Sequence, residues 1–168
     1  NLILSRWPLR SQHLVSLRLR RRKPRGAQLV VVDTPSGPLH VVNWHLGLVE
    51  KERRWQANHL LAHPLFRELA VLPTLIAGDY NDWRNTLAHG PFANHGFKQV
   101  TIPHERFRSF PAYFPVISLD KAFSCDRIEI KPAQSVHSKL AKVASDHLPL
   151  VVDFHLGGGR KAEPANQE

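Results

Sequence analysis

The sequence predicts an α+β protein of layered sheets with few helices, on three observations. Runs at 13–19, 28–33 and 39–45 are β-branched or alternate apolar with polar residues, and turn formers separate them. A single long stretch, 49–62, is rich in the strong helix formers Glu, Lys, Arg, Gln and Ala. Strand-like runs then return at 117–123, 127–136 and 148–155. With 168 residues, 42% of them hydrophobic and 22% charged, the chain is sized and composed for one domain with a real core.

Taken in order, the chain opens at Asn1 on Leu2-Ile3-Leu4, a strand-like run with no charged leader before it, so it does not read as a signal peptide. It reads as cut inside a strand, an N-terminally truncated domain. The first three full strands follow with short connections and imply an antiparallel meander; Thr34-Pro35-Ser36-Gly37-Pro38 is a plain turn. Arg18, Arg20, Arg21, Arg22, Lys23 and Arg25 crowd the other connection, a basic hairpin loop. In the helix, Glu50 and Arg54 stand one turn apart, and Pro64 ends or kinks it before a short helix through Leu69. Residues 73–77 form a short apolar strand entering Gly78, and 84–115 reads as loop with short helical pieces. The tail from Gly157 has no apolar face and reads as disordered, giving a domain over 1–155 and a tail over 156–168.

Charge and cysteine narrow the function classes. The 23 Lys and Arg against 14 Asp and Glu give a net charge of +9, which favours anionic partners. No stretch approaches the ~20 apolar residues that span a bilayer. The lone Cys125 excludes an internal disulfide framework and a multi-cysteine zinc site; it reads as a small buried hydrophobe and fits a reducing, cytoplasmic setting. Any targeting signal is unreadable.

Three short motifs carry chemistry, each at a strand end. In Gly78-Asp79-Tyr80-Asn81-Asp82, Asp79 and Asn81 lie two apart, so on extended backbone both point to one side; a carboxylate and an amide there can hold a metal or a water and together contact a phosphate oxygen. A simple capping turn is the alternative. Ser145-Asp146-His147-Leu148-Pro149 puts a carboxylate beside an imidazole before the last strand, a usual way to supply a ligand and a proton carrier, or else a surface turn. Asn43-Trp44-His45-Leu46-Gly47 ends a strand that should be central, with Asn43 and His45 on one face; a satisfied core histidine is the alternative. With 11 histidines in the chain, one alone proves little.

The order NWHLG, GDYND, SDHLPL, with the opening NLILSRWPL and the run SLDKAFSC, resembles the endonuclease/exonuclease/phosphatase family over residues 1–155, and most closely its small bacterial members. The resemblance implies a four-layer α/β/β/α sandwich (DNase I-like) and metal-dependent phosphoester hydrolysis by an activated water. It implies that Asp79 is the base, that Asn81 holds the scissile phosphate, and that His45 contacts a phosphate oxygen. It likewise implies that His147 stabilises charge on the phosphoryl group and that Asp120 fixes the tautomer of His147. Asp146 would orient a metal, with Mg²⁺ or Mn²⁺ held by Asp79, Asn81 and Asp146. The family's principal metal-binding Glu comes from a strand earlier than this opening segment. Gln167-Glu168 lies in the tail and cannot replace it, and Glu50 and Glu52 follow the wrong strand. The chain by itself is therefore expected to bind metal weakly, to turn over little or nothing, and to self-associate through unpaired strand edges. Substrates in view are nucleic acid, a phospholipid headgroup or a phosphorylated small molecule; an inactive phosphate-binding domain is the non-enzymatic alternative. Trp55 reads as helix core, and Trp83 as core or a substrate flank.

Overall fold

The strand pattern resolves into one six-stranded and one two-stranded sheet in a computed structural model that describes residues 2–157. The expected tail lies outside the described residues except at its start, where Leu156 closes the last strand and the Gly157 N–H donates to the Arg127 carbonyl.

Strands β1 (Leu9–Ser16), β2 (Gly26–Thr34) and β3 (Gly37–His45) form the antiparallel meander. β1 sits four residues earlier than the apolar pattern suggested. Its register runs back to Leu9 opposite Val32 through the polar Arg10, Ser11 and Gln12, and the Leu17 N–H bond to the Arg25 carbonyl already belongs to the hairpin loop. The opening run Leu2–Leu4 is not a strand. Leu2 and Leu4 are exposed, and the Leu2 carbonyl accepts from the Asn43 side chain.

Helices α1 (Glu50–Ala62) and α2 (Pro64–Leu69) cross over and return the chain to β4 (Thr74–Asp79), which pairs parallel to β3. Acidic Glu50 and Glu52 in the first turn of α1 complement its dipole, and Glu50 pairs with Arg54 at 3.0 Å. The irregular stretch then holds one π-helical turn (Ala88–Phe92), a short β5 (Lys98–Gln99) and a 3₁₀ turn (His104–Phe107). β6 (Asp120–Ser124) inserts antiparallel between β4 and β5, so the sheet order is β1-β2-β3-β4-β6-β5. β7 (Ile128–Ser135) and β8 (Leu150–Leu156) make the second sheet, joined through α3 (Lys139–Ala144). Ser138 caps α3 by accepting the Ala141 N–H at 3.1 Å.

The layers follow from which faces are apolar. Ala57, Leu60 and Leu61 of α1 and Phe66 of α2 pack on Leu29, Val42, Trp44, Ile76 and Phe123 of the large sheet. Each Leu, Ile, Val or Phe side chain among them that is fully removed from water contributes about 1.5–3 kcal/mol. The other face of that sheet looks across a cavity of 770 Å³ to Leu148, Leu150 and Val152 of the β8 region. Ala141 of α3 packs with Leu148 and Ala112. The fold is thus α+β, layered α/β/β/α. Trp55 departs from its expected core position: it is half-buried at the helix surface and stacks on His59, 4.7 Å between ring centroids. Cys125 is half-buried, its Sγ accepting the Thr74 N–H at 3.2 Å. No helix of the described residues is long and apolar enough to cross a membrane.

Candidate active site

The register of three neighbouring strands sets up the site. His45 ends β3 opposite Asp79, which ends β4; Asp79 in turn lies opposite Asp120, which begins β6. Three chemically active residues therefore stand side by side at one end of the large sheet, in its centre. Alternation along β3 sends Trp44 into the core and leaves Asn43 and His45 on the other face.

The GDYND segment divides its side chains between site and core. Tyr80 is fully buried, its hydroxyl donates to the Ile76 carbonyl at 3.2 Å, and its ring meets Trp44 edge-on at 5.1 Å. Asp82 is also buried and accepts from the Thr86 hydroxyl and the Leu87 N–H, both at 2.9 Å. Asp79 and Asn81 are left to the site, but not by extended alternation. Asn81 adopts a left-handed backbone, φ 50°, which asparagine tolerates better than most residues. That turn lets its N–H donate to Asp79 Oδ1 at 2.8 Å while its side-chain amide donates to the Leu46 carbonyl at 2.9 Å. Asp79 Oδ2 faces His45 Nε2 at 3.3 Å.

His147 arrives from the turn after α3 and places Nδ1 2.7 Å from Asp120 Oδ2. A ring nitrogen so close to a carboxylate carries the proton at Nδ1, and Nε2 becomes the nitrogen free to act. Two further residues hold this pair, and neither was legible in the motifs. Ser109 donates its hydroxyl to the same Asp120 oxygen at 2.5 Å, and the Phe110 ring lies 5.0 Å from the imidazole. Both come from the irregular 84–115 stretch, where no pattern distinguishes one loop serine from another. Asp146 behaves differently. It is exposed, its carboxylate meets only the Ser145 hydroxyl at 3.4 Å, and its backbone carbonyl accepts the Ala112 N–H. It acts on His147 by charge, not by joining Asp79 and Asn81.

Burial and charge separate the titrations. Burial raises the Asp79 pKa, as does the nearby Asp120 charge, against the Asn81 N–H bond and the two imidazoles. Burial lowers the His45 pKa, opposed by Asp79 and helped by Arg25, His147 and Lys23. For His147 burial also pulls downward, but the hydrogen bond and charge of Asp120, with Asp79 and Asp146, outweigh it and raise the pKa. The site therefore favours a neutral His45 and a protonated His147. Beneath it, Lys121 is buried with Nζ on the Ser118 carbonyl, and burial pulls its pKa down to about 8 despite Asp82 and Asp120. Arg53 reaches toward the same Asp82 at 3.7 Å.

Among the described residues no three His, Cys, Asp or Glu side chains gather as a metal-holding group. The Asp79 oxygens face Asn81 and His45, the inner oxygen of Asp120 is shared by His147 and Ser109, and Asp146 stands apart. Described residues alone do not form a cation cage.

Comparison with known proteins gives the same direction as the motifs. A family model described as the Endonuclease/Exonuclease/phosphatase family matches residues 1–147. The uncharacterized protein YbhP of Escherichia coli (strain K12) is 30% identical over 160 residues, covering 93% of this chain and 62% of YbhP. The chain thus spans less than two thirds of the length of the curated relatives it matches. An endonuclease/exonuclease/phosphatase from Beutenbergia cavernae DSM 12333 superposes with a TM-score of 0.72 at 23% identity, over 92% of this chain and 47% of that one. The mannosyl-6-phosphatase Bt3783 of Bacteroides thetaiotaomicron VPI-5482 gives 0.73 at 16% identity, over 89% and 67%. At these identities the two structures establish a shared fold.

Proposed function

From the premise that this chain belongs to the endonuclease/exonuclease/phosphatase family, we propose that it carries the water-activating half of a phosphoester hydrolase site. The observation that carries the reading is the adjacent row His45, Asp79, Asp120, with His147 bonded to its far end. In this reading Asp79 takes a proton from water as the new P–O bond forms, and the ester P–O bond opposite it breaks. Asn81 fixes the Asp79 carboxylate through its N–H and, with its side chain, borders the phosphate. His45, neutral, donates its one ring N–H to a phosphate oxygen. His147, held at Nδ1 by Asp120, presents a protonated Nε2 to the charge that gathers on the phosphoryl oxygens.

The family resemblance makes Mg²⁺ or Mn²⁺ part of the proposal, where the ion would polarise the phosphate. The donors of the described residues do not suffice for it, and no step above depends on one. This chain is accordingly expected to bind Mn²⁺ only weakly, with Kd on the order of millimolar. Isothermal titration checks this, and a micromolar Kd would contradict it. Partners in this reading are phosphoester substrates; self-association rests on the outer position of β1 in its sheet and on the two-stranded β7–β8 ribbon.

The titrations predict a bell-shaped rate profile. Asp79 acts deprotonated, so the acid limb lies above the ordinary carboxylate pKa. His147 acts protonated, so the alkaline limb lies above the ordinary imidazole pKa. Asp120→Asn removes the charge that raises His147 and should move the alkaline limb to lower pH; the acid limb should follow by less, because the same charge is a lesser cause of the raised Asp79 pKa. A pH–kcat/KM profile in which the alkaline limb stays put would remove His147 from this role.

A further inference from the structure

We infer that the basic hairpin and the face of α1 form a stacking subsite for an unpaired base of a single-stranded polynucleotide, its phosphates held by Arg20, Arg21, Arg22 and Lys51 and its base by Trp55. The inference deepens the phosphoester reading by naming a substrate class, and rests on that reading only for its link to the catalytic row.

Four observations converge. Trp55 lines a cavity of 840 Å³ together with Arg20, Arg21, Arg22 and Lys51, so an indole plane and four cations share one concavity. The indole is backed by His59, the rings 9° from parallel, which holds it as a flat platform. Among the described residues none of Arg18, Arg20, Arg21, Arg22, Lys23, Arg25 or Lys51 makes a salt bridge, whereas Arg10, Arg53, Arg54 and Lys131 all do. Glu52 is the one carboxylate that lines the same concavity, and none of these cations is paired with it, so the lining keeps an excess of positive charge. Finally, the same hairpin reaches the catalytic row from its other arm. Pro24 and Arg25 line a second cavity, of 650 Å³, with His45, and the charges of Lys23 and Arg25 act on that imidazole.

A charged strand whose scissile phosphate lies at His45 would thus meet a run of cations leading to Trp55. Base–aromatic stacking needs an unpaired base, because in a duplex the base faces are occupied by their neighbours. An anionic membrane fits less well. In the loop Leu17 is buried, Leu19 is half-buried and the rest is arginine, lysine and proline; the exposed apolar side chain at the concavity is Val49, a small one, and Trp55 sits in the concavity on α1.

The test is equilibrium binding of this chain to a short fluorescent oligothymidylate, read by anisotropy across a salt series, with no turnover required. Trp55→Leu should weaken binding about 5- to 100-fold, and Trp55→Phe should restore most of it. Replacing Arg20, Arg21 and Arg22 together with serine should make the slope of log K against log salt shallower by about 2. These three lie in an exposed loop, so this variant keeps the test decisive if the Trp55 variants fold poorly. The inference is overturned if Trp55→Leu, folded by circular dichroism, binds as tightly as the parent. It is equally overturned if duplex binds as well as single strand, or if phosphatidylserine vesicles are held through these arginines and the oligonucleotide is not. In a version lengthened upstream of Asn1, binding without hydrolysis would count against the catalytic reading alone, and hydrolysis without this binding against the subsite alone.

Discussion

Gly78→Ala is expected to unfold the chain or lower its Tm by about 10 °C or more. Gly78 adopts φ +145°, a backbone region that L side chains rarely enter. A Cβ built there would lie 2.1 Å from the Trp44 carbonyl oxygen and 3.1 Å from its carbon. These are backbone atoms of the paired strand β3, opposite Gly78 in the register, and cannot yield without moving His45 and Asp79. Strained backbone alone costs about 1–3 kcal/mol, and the overlap adds to it, against a total stability on the order of 5–15 kcal/mol. Thermal melting by circular dichroism checks this; a Tm within a few degrees of the parent would show that the two strands are not so closely joined beside the site.

In a version lengthened upstream of Asn1, Asp79→Ala is expected to reduce phosphodiester turnover by about 10³-fold or more, the range for a lost general base, and to leave the fold intact. The two halves of that expectation have one cause. Burial raises the Asp79 pKa, so folding does not favour its ionised form. Worked through as linkage, a carboxylate whose folded pKa lies above its unfolded value loses stability for the protein as pH rises through that interval. Removing it at neutral pH should therefore leave Tm unchanged or higher. A residue kept at that cost fits a chemical role better than a structural one. A variant that lost turnover only because it melted would contradict this, as would one that kept near-normal turnover.

Much of this was legible because it depends on period and punctuation. The meander followed from alternating β-branched runs around a Pro-Ser-Gly-Pro turn, and α1 from helix formers ending at Pro64. His45, Asp79 and His147 are legible because each sits at a predicted strand end, and strand ends gather at the edge of a sheet; Asp120, inside the predicted strand 117–123, is legible only through the family resemblance of its run SLDKAFSC. What stayed hidden depends on pairing across the chain. β1 reached back to Leu9 because β2 was available to pair with it, not because Arg10 to Gln12 favour a strand. Asn81 reached Asp79 by a left-handed turn that spacing alone could not reveal. Ser109 matters only because folding brings it to Asp120, eleven residues on in sequence. Trp55 looked like core because tryptophan usually is, and only the hairpin beside it shows that the ring borders a charged concavity. Asp146 stood next to His147 in sequence, but the turn that aims the imidazole inward leaves the carboxylate outside.

The most direct test of the central claim is hydrolysis of bis-p-nitrophenyl phosphate with Mn²⁺ in excess, measured on this chain and on a version lengthened upstream of Asn1 to the span of its curated relatives. Turnover by the lengthened protein that disappears in Asp79→Ala, with little or none from this chain, is the predicted result. Absence of turnover in both, or turnover that survives Asp79→Ala, would contradict a hydrolytic site built on His45, Asp79, Asp120 and His147.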